Sequence, residues 1–295
     1  MNEIVIYEND KIVLIEKNKV RKEKFTPNYL SKKYTPYKGN KHTIQSITKS
    51  IVSLLFGIAI QNNHFPISKL NCYIEEYFVN YKLNPKIKLF HLLSMKSGIN
   101  WNTNYEDPNN STFLMEKSNN WIDFIMKQGM INKPGKVFHY ADCDTVLLGH
   151  IFHKLTNMDI SKYANKFLFT PLNIRVFWNR VNGKPDPEGG IYMSSSSLLE
   201  IGKLILHRGK YNKKQIINPE YFTQMIKNTR TKNDFWGYGF QWWLRDGFIL
   251  GWGYKGQYLA IHLKTKKIGI LFQWNNQPEI QPFDFIEQIK YLNIK

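Results

Sequence analysis

The sequence predicts an α+β protein whose two chain ends together build an antiparallel sheet. Near the N-terminus, two β-rich runs over residues 4–7 and 11–16 are separated by Glu8-Asn9-Asp10, which is typical of a hairpin. Four more strand patterns follow one another over residues 239–244, 248–251, 257–263 and 267–273. Because the segment between these two sets is helical in pattern, we expect the strands of both ends to pair with each other.

Helical periodicity fills the middle of the chain. A helix beginning at Ser46 is followed by helical patterns over residues 89–95, 121–128, 145–155, 160–169 and 196–206, and a closing helix fits residues 282–292. Residues 18–44 are basic and loop-like. We therefore predict a sheet domain from residues 1–45 and 206–295, a mostly helical domain from residues 46–205, and an active site between them.

Composition excludes several classes of protein. The 295 residues suffice for one large domain or two interleaved ones. The net charge of +18 raises the question of a nucleic-acid partner, but the lysines occur in scattered pairs rather than in a block, so we expect none. Cys72 and Cys143 form no Cys-x-x-Cys pair, which argues against a disulfide framework and a cysteine-rich zinc site.

The sequence carries no membrane signal. The first ten residues lack a basic region followed by an apolar core, and the longest apolar run, residues 51–60, is too short to span a bilayer. We therefore expect a cytoplasmic protein without a membrane partner. The oligomeric state stays open.

The motif Ser46-Ile47-Thr48-Lys49 opens this apolar run and is the only Ser-x-x-Lys in the chain. Residues i and i+3 of a helix share a face, so the Lys49 amine can reach the Ser46 hydroxyl. Burial of the helix is expected to lower the pKa of Lys49, which would let it accept the serine proton. On a solvated helix face, the same two residues would be an ordinary polar pair.

Two further motifs indicate a catalytic site when they are considered together with the first. Tyr140 lies on a loop that leads into a helix, where a tyrosine beside a cation could shuttle protons; alone, it would read as a core tyrosine. Gly251, Gly253 and Gly256 have the spacing of a dinucleotide fingerprint, but a strand pattern follows them instead of a helix. Glycines in a strand indicate close backbone approach, as an oxyanion-binding edge facing a serine requires.

His150 and His153 share one helix face but have no carboxylate companions in the motif. Such a pair is more typical of packing than of a metal site. We expect no metal.

The three motifs, in this order and spacing, resemble the serine β-lactamase and penicillin-recognising superfamily, in particular its class C-like branch of 6-aminohexanoate-dimer hydrolase-like and esterase-like proteins. Other matching stretches are residues 92–101, 134–140, 168–173, 189–193 and 237–243. The resemblance covers about residues 4 to 290. It implies a β-lactamase/transpeptidase-like α+β fold, with an antiparallel sheet, flanking helices and a helical insertion domain.

The resemblance also implies roles for individual residues. Ser46 would be the acylated nucleophile, Lys49 the base that activates it, and Tyr140 the proton carrier. The main-chain N–H groups of Ser46 and Tyr254 would form the oxyanion hole. A substrate pocket would be lined by Asp142, Trp252, Gly253, Tyr105 and Trp101. No metal or organic cofactor is implied.

Two departures from the family pattern bear on the substrate. Trp252 stands where the lactamases have Lys or His, and Asp142 stands where many members have Asn. Both disfavour an anionic substrate. We therefore expect a small neutral or weakly polar ester or amide.

These observations predict a serine hydrolase, with esterase or linear-amide hydrolase ranked above β-lactamase and D-peptidase. The alternative is a non-catalytic binding or receptor protein on the same fold, which the two departures favour and the intact set of Ser46, Lys49 and Tyr140 opposes. A weaker third hypothesis is nucleic-acid binding driven by charge, which would be sensitive to salt.

Overall fold

A computed structural model describes residues 2–18, 37–38, 41–81, 86–227, 229–230, 236–273 and 279–291. The strands are β1 (Asn2–Glu8), β2 (Lys11–Asn18), β3 (Tyr37–Lys38), β4 (Lys41–Thr43), β5 (Phe177–Trp178), β6 (Arg180–Val181), β7 (Lys184–Pro185), β8 (Ile191–Met193), β9 (Lys210–Tyr211), β10 (Lys214–Gln215), β11 (Thr229–Arg230), β12 (Gly237–Tyr238), β13 (Trp243–Arg245), β14 (Phe248–Gly253), β15 (Gln257–His262) and β16 (Lys267–Gln273).

The α-helices are α1 (Ile47–Gln61), α2 (Leu89–Leu93), α3 (Ser111–Lys117), α4 (Trp121–Met126), α5 (Asp142–Thr156), α6 (Ile160–Ala164), α7 (Ser195–Leu206), α8 (Pro219–Met225) and α9 (Pro282–Tyr291). A π-helical turn over Asn165–Phe169 continues α6, and two short 3₁₀ helices cover Ile67–Asn71 and Ile74–Tyr77.

Strands from both chain ends share one antiparallel sheet, as the sequence predicts. Its strand order is β11-β12-β13-β14-β15-β16-β1-β2. The first strand pairs with the last one, with Val5 opposite Ile270. A second sheet has the order β3-β4-β8-β5 and joins the segment before α1 to the segment before α7.

The large sheet is covered on both faces, because side chains of successive strand residues point to opposite sides. Along β14, Ile249 belongs to the main core, whereas Leu250 belongs to a second cluster that contains Phe285 and Ile289 of α9. Helices α1 and α7 pack against the sheet as well. The result is a helix–sheet–helix arrangement.

Helix α1 lies at the centre of the main core. Every residue from Ile47 to Ile60 is buried, so the helix is apolar nearly all round and needs protein on every side. It contacts α5, α8, β14 and β15. Ser46 occupies its N-cap, directly after Gln45, whose φ of +49° turns the chain into the helix.

The pattern over residues 239–244, predicted as one strand, is a hairpin. Tyr238 of β12 pairs with Trp243 of β13, and the four residues between them form the turn. A side chain at Gly239 would overlap the carbonyl oxygen of Met225, and the amide of Phe240 donates to that same oxygen at 3.0 Å. These tertiary contacts bend a segment whose composition alone favours a strand.

Most of the predicted loop at residues 18–44 lies outside the described residues. Within it, Lys41–Thr43 forms β4 and pairs with β8, which the sequence analysis missed. The short helices α3 and α8 were also missed. The division into a sheet domain (1–45 and 206–295) and a helical domain (46–205) stays a prediction.

Both cysteines are free thiols, with Cys72 half-buried and Cys143 buried. In the described ranges, every helix lacks either the length or the apolarity that crossing a bilayer requires. The same ranges hold no group of three or more His, Cys, Asp or Glu side chains placed to bind a metal ion.

The close contact between β14 and the chain entering α1 leads to a stability prediction. A Cβ at Gly253 would overlap the carbonyl oxygen of Ile44 and lie 2.9 Å from the Cβ of Gln257. We expect Gly253→Ala to lower the free energy of unfolding by about 1–3 kcal/mol, because backbone and a packed strand must shift. Denaturant unfolding followed by circular dichroism measures this change.

Gly129→Ala is the matched control, because a Cβ there meets nothing within 4 Å. Equal stability of the two variants would show that β14 and the start of α1 are not in tight contact.

Candidate active site

The N-terminal turn of α1 brings Ser46 and Lys49 together. The Lys49 Nζ donates a hydrogen bond to the Ser46 Oγ at 3.0 Å. Ser46 is half-buried, whereas the Lys49 side chain is 1% exposed. Solvent can therefore reach the Ser46 hydroxyl but not the Lys49 amine that contacts it. This arrangement is expected for a nucleophilic serine with a base beside it.

Three more oxygen atoms surround the Lys49 Nζ. It donates to the main-chain carbonyl of Glu188 at 2.7 Å and lies 2.8 Å from the Asp142 Oδ1. The Glu188 Oε2 is 3.5 Å away. Because both carboxylates are buried with the lysine, solvent screens their charges little.

These carboxylates reverse the direction predicted for the lysine. Burial lowers the pKa of Lys49, as expected, but Asp142, Tyr140 and Glu188 together raise it by more than burial lowers it, so the net pKa lies above its usual value. The expectation of a lowered pKa is wrong. Lys49 rests as an ammonium and must lose a proton before it can accept one.

Asp142, at the start of α5, is held in place by hydroxyl groups. Its Oδ2 accepts hydrogen bonds from the Tyr105 hydroxyl at 2.9 Å and from the Thr112 Oγ1 at 2.5 Å. Burial raises the pKa of Asp142, but Lys49 and these donors lower it by more than burial raises it. The net pKa therefore falls below its usual value. Asp142 is therefore a fixed anion.

Tyr140 contacts the same serine. Its hydroxyl shares a hydrogen bond with Ser46, and its ring lies over the ammonium of Lys49 at 5.6 Å. The ring also stacks on Trp243, with centroids 5.7 Å apart and planes at 19°. Burial raises the pKa of Tyr140 and Lys49 offsets this only in part, so the phenol keeps its proton.

The glycines of the third motif face the start of α1. A Cβ at Gly251 would lie 3.1 Å from Ile47, and Gly253 abuts the carbonyl of Ile44. Tyr254 follows β14 in a turn, so its main chain continues from the strand end nearest Ser46. The role of its N–H in an oxyanion hole stays a prediction.

The structure separates the predicted pocket residues into three places. The half-buried rings of Tyr105 and Tyr254 face each other at 6.2 Å. Trp252 points to the opposite face of β14, where its ring packs 5.3 Å from Trp243. Trp101 is only 2% exposed, and its Nε1 donates to the Thr112 Oγ1 at 3.2 Å, so it supports Asp142 from the core instead of lining a surface.

Sequence reasoning missed Glu188, Thr112 and the stacking role of Trp243. Glu188 directly precedes a matching stretch at residues 189–193, and an acidic residue beside two glycines was the available signal. Thr112 offered none, because it lies far from the motifs in sequence. Trp243 ended a matching stretch without an assigned role.

His150 and His153 line a separate cleft of about 680 Å³ together with Trp121, Arg180 and Lys184. The His150 ring stacks on Phe78 at 5.0 Å. Burial and nearby lysines lower the pKa of His150 to about 4, so it is neutral near pH 7.

Solved structures share this fold. A Bacillus anthracis protein described as a 6-aminohexanoate-dimer hydrolase superposes with a TM-score of 0.76 at 18% identity, covering 98% of this chain and 77% of that one. A D-stereospecific amidohydrolase from Streptomyces gives 0.71 at 14% identity, covering 99% and 94%. EstCE1, a hydrolase with promiscuous acyltransferase activity, gives 0.73 at 12% identity, covering 92% and 88%.

A curated relative is similar over a shorter segment. A Salmonella typhimurium protein described as a D-alanyl-D-alanine carboxypeptidase is 22% identical over 151 residues, which is 45% of this chain and 35% of that protein. The match thus spans about a third of the curated relative. The sequence profile of the family described as Beta-lactamase, in contrast, matches residues 21–289. The chain belongs to the Beta-lactamase family.

Proposed function

We propose that the chain is a serine hydrolase that cleaves an ester or amide bond through an acyl-Ser46 intermediate. The observation that carries this proposal is the 3.0 Å hydrogen bond from the Lys49 Nζ to the Ser46 Oγ, at a serine that Tyr140 also contacts. In this proposal Lys49 is the general base and Tyr140 the general acid, and no metal or organic cofactor takes part.

Acylation follows from this arrangement. Once Lys49 has lost a proton, it takes the proton of Ser46 while the Oγ attacks the substrate carbonyl. The N–H groups of Ser46 and Tyr254 stabilise the oxyanion that forms. Tyr140 protonates the leaving alcohol or amine, and a water molecule then releases the acyl group by the reverse sequence. The site lies between the predicted sheet and helical domains.

The charges around Ser46 support a neutral or weakly polar small-molecule substrate. Asp142 and Glu188 place two carboxyl groups beside a single lysine, which disfavours an anionic group there. The aromatic rings of Tyr105 and Tyr254 offer apolar surface nearby. We therefore rank esters and linear amides above β-lactams and D-peptides, whose recognition involves a carboxylate.

One observation favours a second candidate, a non-catalytic binding protein. The paired carboxylates hold Lys49 as an ammonium, which is the wrong protonation state for a base. A site that stayed in this state would bind a ligand without turning it over.

Labelling with a fluorophosphonate probe tests the nucleophile. We expect intact-mass spectrometry to show one adduct on the wild-type chain and none on Ser46→Ala or Lys49→Ala, because the first lacks the nucleophile and the second its base. Ser50→Ala is the matched control, since the Ser50 Oγ instead donates to the Gln241 main chain at 2.7 Å. A folded wild-type chain that forms no adduct would contradict the hydrolase mechanism and favour the binding protein.

Tyr140→Phe tests the general acid. The variant keeps the stack on Trp243 but loses the hydroxyl, so we expect turnover of an amide substrate to fall by about 10²–10⁴-fold. An ester with a good leaving group should lose less, because its leaving group needs no proton. Equal losses on both substrates would argue against a proton donor and for a positioning role.

Asp142→Asn tests the fixed counter-ion. Removing this carboxylate lowers the pKa of Lys49, since an anion that stabilises the ammonium is gone. We expect faster fluorophosphonate labelling at pH 7, with the rising limb of the pH–rate profile moved to lower pH by about 1–3 pH units. A slower rate with an unchanged profile would show that Asp142 acts by orienting Lys49 alone.

A further inference from the structure

The two carboxylates beside Lys49 have different surroundings. The Asp142 carboxylate accepts two hydroxyl hydrogen bonds besides its contact with the ammonium. The Glu188 carboxylate lies 3.5 Å from the same nitrogen, and among the described residues no hydrogen bond to it is formed. The Asp142 carboxylate is thus held as an anion by three contacts, while the Glu188 carboxylate lies beside the same ammonium without a hydrogen bond from the described residues.

We propose that Glu188 is the proton acceptor for Lys49: it takes a proton from the ammonium as Lys49 takes the proton of Ser46. This inference rests on the proposed hydrolase function and deepens it. It explains how a lysine that rests as an ammonium serves as a base. In this proposal Glu188 touches no substrate atom. It acts on Ser46 only through Lys49 and is therefore a positioning residue.

The transfer balances in protons and electrons. The Ser46 O–H bond breaks and its proton binds the Lys49 Nζ, while one Lys49 N–H bond breaks and that proton binds the Glu188 Oε2. The Oγ forms a bond to the substrate carbonyl carbon, and the C=O π pair moves to the oxygen. Lys49 ends as an ammonium again, and the Glu188 carboxyl ends neutral.

Geometry keeps the lysine in place during this exchange. The main-chain carbonyl of Glu188 accepts a hydrogen bond from the Lys49 Nζ at 2.7 Å, so the residue that takes the proton also anchors the nitrogen. The amide of Glu188 donates to the buried Asp186 Oδ1 at 3.1 Å, which fixes this segment. A small movement of the carboxylate then brings the 3.5 Å contact to hydrogen-bond distance.

The surroundings of Glu188 make its carboxylate a stronger base than an exposed glutamate. Burial raises the pKa of Glu188, Asp142 raises it further, and Lys49 only partly offsets them, so the net pKa lies well above its usual value. The titratable groups that face Glu188 from the surrounding elements are Lys49, Tyr105, Glu116, Tyr140, Asp142 and Asp186. The ionised Glu188 carboxylate, which is the form that the proposed step uses, therefore binds a proton more strongly than an exposed carboxylate does.

The test compares two isosteric variants by their fluorophosphonate labelling rates as a function of pH. With this probe the Oγ–P bond forms and the P–F bond breaks, so no leaving group needs a proton and the rate reports activation of Ser46. If Glu188 accepts the proton, Glu188→Gln labels about 10²-fold more slowly than wild type at pH 7. Asp142→Asn labels faster. The two substitutions therefore act in opposite directions.

Two further variants distinguish a loss of the proton acceptor from a loss of packing. Glu188→Ala leaves room for a small acid, so added formate restores the labelling rate, whereas formamide, which has the same shape without the charge, does not. Glu116→Gln removes a carboxylate that raises the pKa of Glu188 but is not among the groups that raise the pKa of Lys49, and it keeps the labelling rate within a few-fold of wild type.

A rate in Glu188→Gln equal to or above that of wild type would overturn the proposal, because Glu188 would then be only a counter-ion. Equal rescue of Glu188→Ala by formate and formamide would overturn it as well, since packing alone would explain the loss. An unlabelled wild type would overturn both this proposal and the hydrolase function. A labelled wild type with an unaffected Glu188→Gln would overturn this proposal alone.

Discussion

The ammonium group of Lys49 is the interaction on which the arrangement of the site depends. It is enclosed by α1, the start of α5 and the segment before β8, and each of these supplies an oxygen atom to it. An unpaired charge in such a place would cost several kcal/mol. The surrounding elements must therefore be in position before Lys49 can be buried, so the folded core and the candidate site are assembled by the same contacts.

The sheet contributes to the same site through two glycines of β14, whose lack of a side chain lets the strand lie close to the start of α1. Gly253 lets β14 lie against the carbonyl of Ile44, which precedes the N-cap of α1, and Gly251 packs against Ile47. On the opposite face of that strand, Trp252 joins an aromatic group that reaches Tyr140 through Trp243. A single strand thus positions the serine with one face and the tyrosine with the other.

Local sequence pattern predicted those parts of the fold that depend on neighbours along the chain. The first hairpin, α1, and the contact between Ser46 and Lys49 all follow from periods of two or 3.6 residues. The net pKa direction of Lys49 could not be predicted, because the contact with Glu188 joins residues 139 positions apart. The turn after Tyr238 was missed for a similar reason, since its cause is the distant carbonyl of Met225.

The pairing of β1 with β16 has a consequence for how the chain reaches its structure. Val5 and Ile270 are neighbours in the sheet, so the hairpin of β1 and β2 finds its partner only after synthesis has reached β16, more than 250 residues further along the chain. Until then, one edge of β1 has no strand to pair with. Closing so long a loop is entropically costly and slow, which leaves newly made chains open to aggregation during this interval.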